Sequence, residues 1–545
     1  MENPSSMRPR RAPGARAAVA VLATLAVALP ATSGSTSTVS PPAPSARAPS
    51  GGFVDPALLT ELASGPSLGL FGWDKDATSR ERVRAYLESA GVSARIYEGI
   101  SVGVACLAGA GQLGSLLDAP GVHAVYADQP LTPTIADSVP TAFNGDPDDW
   151  WGVEGITGKG VGIFVIDTGI DATHPDLAFG TRVKRNVVTL SSHREILGTG
   201  DACVPDFYIP PENFYDPVFG EQLDDPEDSE GTSGHGTHLA GVAAGDGTAS
   251  GGKLKGMAPE ADLFGVQVIG DASPGQTITT GESSMRPSLV RAVSGIDYAI
   301  RHGFFEDSPM VPKVAILGFT SEGLYDTWNP LQLALRDLYD FGVAVIVPVG
   351  NEGPTQSACD QASTCHVSPM AANPYTVGVG ATPKTSRTQL APYSSVGDPV
   401  VRIGPDGEQL PYQPALVAPG TRVVAAQRIG LAAVTTIAGD HTLGGGGGGG
   451  KGSKWLGYQA LTGTSVAAAH VAGAVALMQQ AAVEAKGCFL ATSQVYEILA
   501  QTATPMTGYA EHQVGSGSLD ATAAIWGARF APKINSLEDW NCPPT

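Results

Sequence analysis

Basic side chains are scarce in this chain of 545 residues. Lys and Arg together number 32, against 53 Asp and Glu, so the formal net charge at pH 7 is −21. Nucleic acids and anionic membranes bind proteins that present basic patches. The composition therefore argues against both as partners, and it is ordinary for a soluble protein that works outside the cell.

Cysteine is also rare, and its arrangement does not suggest a metal centre. The six cysteines show no Cys/His spacing of the kind that binds zinc. His235 and His238 lack the glutamate that a His-Glu-x-x-His site places after the first histidine. We therefore expect no metal ion or other cofactor to take part in the chemistry.

Apolar runs of membrane length are missing after residue 31. Four arginines between residues 8 and 16 precede an alanine-rich apolar run at 17–29, which is typical of a secretory signal peptide and too short for a membrane span. Cleavage after Ala28 or Ala31 fits this pattern. Twin-arginine export is an alternative, but the Pro and Gly after Arg11 favour ordinary secretion. We expect residues 1–31 to be removed and the product to be secreted without a membrane anchor.

The composition of the chain and its pattern of apolar residues change near residue 65. Residues 32–65 begin with Ser, Thr, Pro and Ala, which cannot bury a core, so we predict a low-complexity linker. Residues 66–130 instead alternate apolar strand patterns with helical spacing. Strands are predicted at 67–73, 94–97, 101–107 and 122–126, and helices at 79–90 and 111–117. This β-α-β-β-α-β order predicts a small ferredoxin-like α+β domain.

Residues 131–150 are polar and rich in turn formers, whereas strand and helix patterns alternate from residue 151 onward. Strands are predicted at 160–166, 263–269, 313–319 and 342–349, and an amphipathic helix at 288–302. We expect residues 151–545 to form one α/β domain with a doubly wound, mainly parallel sheet and a C-terminal tail.

A run of small apolar residues begins at Ser465 and continues almost to Glu484. A helix that is apolar on every side is a buried helix. Its first turn offers unpaired N–H groups and the positive end of the helix dipole, which suit an oxyanion. Alone, the pattern is more typical of a core helix with a serine cap. Two other segments favour a catalytic serine.

Those segments contain Asp167 and His235. Asp167 follows the apolar, β-branched run 160–166, which is typical of a buried parallel strand. His235 opens a second helix of small residues. Asp, His and Ser in this order, each at the end of an element, fit a hydrolase triad. There, His235 would remove the proton of Ser465, and Asp167 would hold the required tautomer of His235.

Three sequence blocks carry a specific resemblance. They are Asp-Thr-Gly at 167–169, Gly-His-Gly-Thr-His-Leu-Ala-Gly at 234–241 and Gly-Thr-Ser-Val-Ala-Ala-Ala-His-Val-Ala-Gly at 463–473. With them the chain resembles the subtilisin-like serine peptidases, or subtilases. The resemblance implies a serine endopeptidase whose catalytic residues are Asp167, His235 and Ser465. The other histidines near these blocks are expected to be structural: His174, His238 and His470.

Gly-Asn-Glu-Gly at 350–353 resembles the oxyanion block of the same family. The resemblance implies that the Asn351 side-chain amide and the Ser465 backbone N–H bind the oxyanion. It also implies two segments that bind an extended substrate through backbone hydrogen bonds. The substrate-binding residues expected there are Gly318, Phe319, Thr320, Val349 and Gly350.

The chain departs from the family pattern at several positions. Val466 and Ala469 replace the usual Met and Pro of the serine block, a change that a helix accepts readily. Val349 stands where alanine is usual, and its extra methyl groups would narrow the pocket for the substrate side chain before the scissile bond, called P1. This predicts a preference for Leu or Met over Phe and Tyr at P1. Alternatively, Val349 points into the core and leaves the pocket unchanged.

Residues 66–130 resemble the inhibitor-type propeptide of subtilases, although an unrelated α+β domain is an alternative. The resemblance implies a precursor that cuts itself within residues 131–150, a propeptide that acts as the enzyme's own inhibitor, and a monomeric product. Secretion permits disulfides. With Cys106 assigned to the propeptide, we predict the pairs Cys359–Cys365 and Cys488–Cys542, which leave Cys203 over.

Two segments have no counterpart in these blocks. Residues 444–450 are all glycine and should have no fixed conformation. An insertion at 184–233 ends in an acidic stretch that also contains Glu227 and Glu230. Candidate ligands for a structural Ca²⁺ in this stretch are Asp224, Asp225 and Asp228. A solvated acidic loop is the commoner reason for such a stretch.

These observations together predict a secreted, self-processing serine endopeptidase that acts on polypeptides. Two alternatives stay open. One is a maturation protease dedicated to a single partner, and the other is a catalytically silent binding protein on the same scaffold.

Overall fold

The computed structural model describes sixteen segments of the chain, which hold most of residues 53–532. They are residues 53–75, 78–97, 99–127, 132–133, 139–144, 146–189, 229–230, 234–269, 289–304, 312–321, 323–353, 367–397, 402–403, 409–410, 413–429 and 457–532. The predicted signal peptide and the glycine run at 444–450 lie outside them.

An N-terminal α+β domain contains the first five strands and three helices. In chain order these are β1 (Phe53–Val54), α1 (Pro56–Ser64), β2 (Ser67–Trp73), α2 (Arg80–Ser89), β3 (Ser93–Ile96), β4 (Val102–Leu107), α3 (Ala110–Leu117) and β5 (Val122–Tyr126). The strand order in the sheet is β1-β5-β2-β4-β3. From β2 onward this is the predicted β-α-β-β-α-β unit.

The domain begins earlier than the sequence suggested, because β1 and α1 lie within the predicted linker at 32–65. Val54 and Leu58 are buried in the same apolar cluster as Val83 and Leu87 of α2. Asp55 also joins the sheet, since its backbone N–H donates to the Val125 carbonyl at 2.9 Å. These buried side chains and the hydrogen bond to β5 help to order a segment whose sequence has little periodicity.

The remaining strands belong to the second domain and to two short pairs. They are β6 (Thr132–Pro133), β7 (Gly162–Asp167), β8 (Val183–Val188), β9 (Asp262–Gln267), β10 (Pro312–Leu317), β11 (Phe319–Thr320), β12 (Ala344–Pro348), β13 (Val377–Pro383), β14 (Arg402–Ile403), β15 (Gln409–Leu410), β16 (Leu416–Ala426) and β17 (Tyr458–Thr462). Eight of them form the central sheet, in the order β17-β16-β13-β12-β10-β7-β9-β8. Only the pair β16–β17 in this sheet is antiparallel.

Helices cover both faces of this sheet, as expected for a doubly wound fold. They are α4 (Pro140–Phe143), α5 (His235–Ala244), α6 (Leu289–Phe304), α7 (Pro330–Asp340), α8 (Thr464–Lys486), α9 (Thr492–Thr502), α10 (Glu511–Val514) and α11 (Ala521–Phe530), with short helical turns at Asp149–Glu154, Pro175–Leu177 and Thr248–Ser250. Ile163 and Val165 of β7 pack in the cluster that contains α5 and α8. Phe164 and Ile166 pack in the cluster that contains α6 and α7. This alternation confirms the predicted α/β architecture.

The central helix α8 is buried along most of its length, from Thr464 to Ala482. The expectation that no apolar run after residue 31 reaches membrane length was wrong for this helix: within the described segments it alone is long and apolar enough to cross a membrane, but 94% of its apolar window is buried inside the protein. Small side chains allow this packing, since a Cβ on Gly473 would lie 2.4 Å from Met257 Cβ. The burial is that of a core helix, as the all-round apolar pattern predicted.

The N-terminal domain rests on helices α6 and α7 of the second domain. The Gly99 N–H donates to Asp297 Oδ1 at 2.6 Å, and the Ser101 N–H donates to Asp337 Oδ2 at 2.8 Å. Lys75 Nζ bonds to the other oxygen of Asp337 at 2.6 Å. Burial raises the pKa of Asp337, although Lys75 opposes that shift. Carboxylates of the second domain thus accept hydrogen bonds from the loop between β3 and β4.

Two cysteines lie in the described segments, and both are disulfide-bonded: Cys106 in β4 and Cys488 after α8. Cys203, Cys359, Cys365 and Cys542 lie outside those segments, so the predicted pairs stay predictions. The bonded state of Cys106 differs from the expectation that set this cysteine aside.

Candidate active site

Asp167 is the last residue of the central strand β7, so its side chain lies at the carboxyl edge of the sheet. Ligand and catalytic sites of open parallel sheets form at this edge. The chain then turns sharply at Gly169, whose φ is +102°. A Cβ at Gly169 would lie 2.2 Å from the Ser229 carbonyl oxygen, so only glycine fits there.

The structure brings the three predicted triad residues together. His235 is the first residue of α5, and Ser465 is the second residue of α8. His235 Nδ1 lies 2.6 Å from Asp167 Oδ1, and His235 Nε2 lies 3.1 Å from Ser465 Oγ. All three residues are fully buried. The distances form one continuous hydrogen-bonded line from carboxylate to hydroxyl.

The Asp167 carboxylate fixes the proton arrangement of this line. A carboxylate only accepts hydrogen bonds, so His235 Nδ1 must carry the proton, and Nε2 of the neutral ring is left to accept from Ser465 Oγ–H. Asp167 Oδ1 also accepts from the Thr168 N–H at 2.7 Å. Asp167 Oδ2 has no hydrogen-bond partner in the described part of the chain. The arrangement is suited to proton transfer from serine to histidine.

The neighbouring histidines contact backbone carbonyls or amides and not Ser465. His238 Nε2 lies 3.1 Å from the Val423 oxygen, and His470 Nδ1 lies 2.9 Å from the Val466 oxygen. Burial, helped by His235 and His470, lowers the pKa of His238 well below its usual value. His174 Nε2 lies 2.8 Å from the Gly457 oxygen, and its Nδ1 accepts from the Asp176 N–H. These contacts fit the structural roles expected from the sequence.

Asn351 lies beside the start of α8, with its amide oriented by Thr464. Its Oδ1 accepts from the Thr464 backbone N–H at 3.0 Å and from the Thr464 hydroxyl at 3.1 Å. Because these bonds use the oxygen, Nδ2 is the end of the amide that can donate to a ligand. Gly350, with φ of +119°, makes the turn that carries Asn351 to this position. An amide donor and the N-terminus of α8 therefore lie together.

The expected substrate-binding edge is already paired with another segment of the chain. Phe319 and Thr320 form β11, which pairs antiparallel with β6, with Phe319 opposite Pro133 and Thr320 opposite Thr132. Gly318 precedes this strand and adjoins the triad, since a Cβ there would lie 2.4 Å from Asp167 Oδ2. The strand next to the triad thus binds an extended segment by its backbone.

Comparison with known proteins agrees with this geometry. The model of the peptidase S8 subtilase family matches residues 158–517, which include the strand, both helix starts and the asparagine described above. The chain belongs to the subtilase family.

Subtilases of known sequence and structure are similar over different shares of the chain. The serine protease AprX of Bacillus subtilis (strain 168) is 29% identical over 203 residues, which are 36% of this chain and 35% of that protein. The major intracellular serine protease of the same strain is 26% identical over 378 residues, or 69% of this chain and 85% of that protein. Fervidolysin from Fervidobacterium pennivorans superposes with a TM-score of 0.54 at 21% identity, covering 85% of this chain and 61% of that one. The chain thus spans less than two thirds of AprX and of fervidolysin.

The position of Val349 bears on the two interpretations that its sequence allowed, a pocket residue or a core residue. It is fully buried in the apolar cluster that contains α6 and α7. Its N–H donates to the Val379 carbonyl at 3.1 Å, and its carbonyl accepts from the Ser368 N–H at 2.9 Å. This burial favours the alternative in which Val349 is a core residue of the subtilase domain.

Glu230 is a buried residue that the sequence reasoning misassigned. The sequence places it in an acidic stretch that predicts a solvated loop or a cation site, yet its exposure is 1%. Its carboxylate Oε2 accepts from Thr168 Oγ1 at 2.8 Å, next to the triad aspartate. Its position a few residues before the histidine block could have indicated a place in the site. The acidic residues around it pointed to a solvated loop instead.

The predicted Ca²⁺ ligands Asp224, Asp225 and Asp228 lie outside the described residues, so that prediction stays untested. Within the described segments, no group of three or more His, Cys, Asp or Glu side chains could hold a metal ion. The site described here consists of Asp167, His235, Ser465 and Asn351.

Proposed function

We propose that this subtilase is a secreted serine endopeptidase whose nucleophile is Ser465. The observation that carries the proposal is the hydrogen-bonded line Asp167–His235–Ser465, with spacings of 2.6 and 3.1 Å. A serine hydroxyl is a weak nucleophile until a base removes its proton. Its placement at the first turn of α8, beside Asn351, adds the groups that an acyl transfer requires.

The reaction follows from these groups in two stages. His235 takes the Ser465 proton as Oγ attacks the substrate carbonyl, and Asp167 stabilises the imidazolium that forms. The oxyanion accepts hydrogen bonds from the Ser465 N–H and Asn351 Nδ2. His235 then protonates the leaving amine, which breaks the peptide bond and leaves an ester on Ser465. In the second stage His235 activates a water molecule that hydrolyses this acyl-enzyme.

The N-terminal domain acts in this proposal as an inhibitory propeptide. Its β3–β4 loop docks on Asp297 and Asp337, as described above, and β6 pairs with the substrate-binding strand β11. Residues 132–133 belong to the segment at 131–150 where cleavage is expected. A segment that covers the substrate edge before cleavage would keep the precursor inactive, and the same proximity would favour self-processing.

The test compares wild type with Ser465→Ala on denatured casein and on a peptide library. We expect cleavage by wild type and none by the variant. Ser493→Ala is a matched control, because Ser493 is an exposed serine of α9 in the second domain. Digestion of one partner protein but not of casein would favour a dedicated maturation protease. Binding of peptides without cleavage by wild type would favour the silent scaffold.

A further inference from the structure

Glu230 lies between the aspartate block and the histidine block of the site, in contact with both. Its Oε2 accepts from Thr168 Oγ1 at 2.8 Å and from Thr237 Oγ1 at 3.2 Å. The backbone N–H of Thr237 donates to the same oxygen at 3.3 Å. Thr168 is the residue after Asp167, and Thr237 lies two residues after His235. One buried carboxylate oxygen therefore joins the two blocks.

The two threonines also join the aspartate block to the histidine block by hydrogen bonds of their own. Thr168 Oγ1 accepts from the Gly236 N–H at 2.8 Å, and Thr237 Oγ1 accepts from the Asp171 N–H at 2.9 Å. Each threonine thus accepts a backbone N–H from the opposite block. A hydroxyl has one proton to donate, and both hydroxyls donate it to Glu230. Because a carboxylate cannot donate a hydrogen bond, each hydroxyl must direct its proton at Glu230. The lone pairs of each hydroxyl are then left to accept from the backbone amide of the opposite block.

Close packing makes the separation of the two blocks sensitive to these bonds. A Cβ on Gly236 would lie 2.2 Å from the Gly169 carbonyl oxygen, so the backbones on either side are in direct contact. Gly236 follows His235 directly. A shift of the Gly236 amide would therefore move the imidazole relative to Asp167.

The charge of Glu230 adds to this arrangement. Burial and the nearby Asp167 charge raise the pKa of Glu230 to about 7. The carboxylate lies at the positive end of α5, which favours its charged form. Other charged or titratable groups on the surrounding elements are Asp167 at the end of β7, Asp171 after it, His235 and His238 on α5, His470 on α8 beside His238, and Arg291 on α6, which bonds to Gln267 and through it to Ser229.

We propose that Glu230 is a positioning residue of the triad, holding Asp167 and His235 in register through Thr168 and Thr237. The inference rests on the proposed peptidase activity. It gives Glu230 a role in the orientation of the general base and none in contact with substrate. Substitution should therefore lower kcat and leave KM nearly constant, because orientation of the base affects the transition state and not substrate binding.

The test uses the full chain, with active sites titrated by phenylmethylsulfonyl fluoride and rates measured on one chromogenic peptide. Glu230→Gln keeps an acceptor oxygen but loses the charge, and Glu230→Ala loses both. We expect kcat per titrated site to fall about 10-fold and about 100-fold, respectively, the range that small misplacements of catalytic groups produce. KM should stay within about twofold of wild type, as uniform binding is unaffected.

Glu260→Gln is the matched control, because Glu260 Oε2 also accepts from a threonine hydroxyl, that of Thr157, at 2.8 Å but far from the triad. It should retain the wild-type kcat. Thr237→Ser should retain more activity than Thr237→Val, since only serine preserves the hydroxyl. If unfolding explained the losses, the variants would melt early and would lose titratable sites, whereas the expected loss is in rate per site.

The pH profile separates positioning from a purely structural effect. Because Glu230 is ionised mainly above its pKa of about 7, the loss of kcat/KM in Glu230→Gln relative to wild type should be largest above that pH and smaller below it, whereas Glu260→Gln should show no such dependence. Wild-type rates and pH profile in Glu230→Gln would overturn the inference while the peptidase function stands. Inactive wild-type enzyme would instead overturn the proposed function itself.

Discussion

Asn351 Oδ1 accepts a hydrogen bond from the Thr464 backbone N–H at 3.0 Å, one residue before the nucleophile. This bond couples the asparagine loop to the helix that carries Ser465, and it determines which end of the amide can donate. The proposed oxyanion site thus combines two segments that are distant in sequence, and this contact orients one relative to the other.

Asn351→Ala should lower kcat by about 10²–10³ with little change in KM, which is the loss seen for the corresponding asparagine of the related subtilisin. The reason is that Nδ2 stabilises charge that develops only in the transition state. Steady-state kinetics on a peptide ester and amide would measure it. Asn351→Asp keeps the oxygen that Thr464 binds but replaces the donor by a negative oxygen, so it should lose at least as much. Equal kcat in wild type and Asn351→Asp would rule out the oxyanion role.

Ser465→Ala should leave the precursor uncut if processing is autocatalytic, because the same hydroxyl serves both reactions. Its kcat on added substrate should fall by roughly 10⁶, as for the related subtilisin. Intact-mass analysis and N-terminal sequencing of the purified proteins would show the result. Normal processing of the variant would mean that another protease makes the cut.

Val349→Ala tests whether this residue limits the P1 pocket. If it does, kcat/KM should shift toward aromatic P1 substrates by about tenfold or more, the low end of the discrimination that a methylene provides. The full burial of Val349 favours an unchanged Phe-to-Leu ratio together with a loss of stability from the cavity. Peptide-library profiling and thermal unfolding of the same variant distinguish the two outcomes.

A chelator should lower the melting temperature if the acidic stretch binds Ca²⁺, because an ion that binds only the folded state stabilises it. Carboxylate oxygens are the ligands that Ca²⁺ prefers. Asn in place of Asp224, Asp225 and Asp228 should then remove the chelator effect. A chelator effect of equal size in the triple variant would locate the ion elsewhere.

The disulfide of Cys106 should keep the N-terminal domain and the peptidase domain joined after the chain is cut between them. This cysteine is disulfide-bonded, and the other five cysteines lie at residue 203 or later. A bond from Cys106 to any of them connects the N-terminal domain to a residue beyond the expected cleavage segment. Processed protein should run as one band without reductant and as two with dithiothreitol. Cys106→Ser should give two bands under both conditions, and two bands from unreduced wild type would contradict the prediction.

Much of the fold was predictable because its main elements obey simple periodicities. The strand predicted at 160–166 is β7 (Gly162–Asp167), and the helix predicted at 288–302 is α6 (Leu289–Phe304). Strand β7 is buried on both faces and reads as a continuous apolar run, whereas α6 is amphipathic. The three triad residues could also be predicted from the sequence, since each lies at the end or the start of such an element within a specific sequence block.

The features that sequence missed depend on tertiary contacts. Strand β1 and helix α1 are ordered by burial of Val54 and Leu58 against a sheet that forms from later residues. Glu230 looked like one of several solvated acids, because nothing local reveals that two threonine hydroxyls from separate blocks converge on it. Val349 could not be assigned to pocket or core, since it follows the end of β12 and its direction depends on tertiary contacts with Val379 and Ser368.

The pairing of Thr132–Pro133 with Phe319–Thr320 has a kinetic consequence. A segment of the same chain that is held against β11 is present there at a high effective concentration, which does not depend on how much protein is in solution. A first cut made within one molecule is therefore a first-order reaction, and its half-time stays constant on dilution. A cut made by a second molecule would slow in proportion to the dilution.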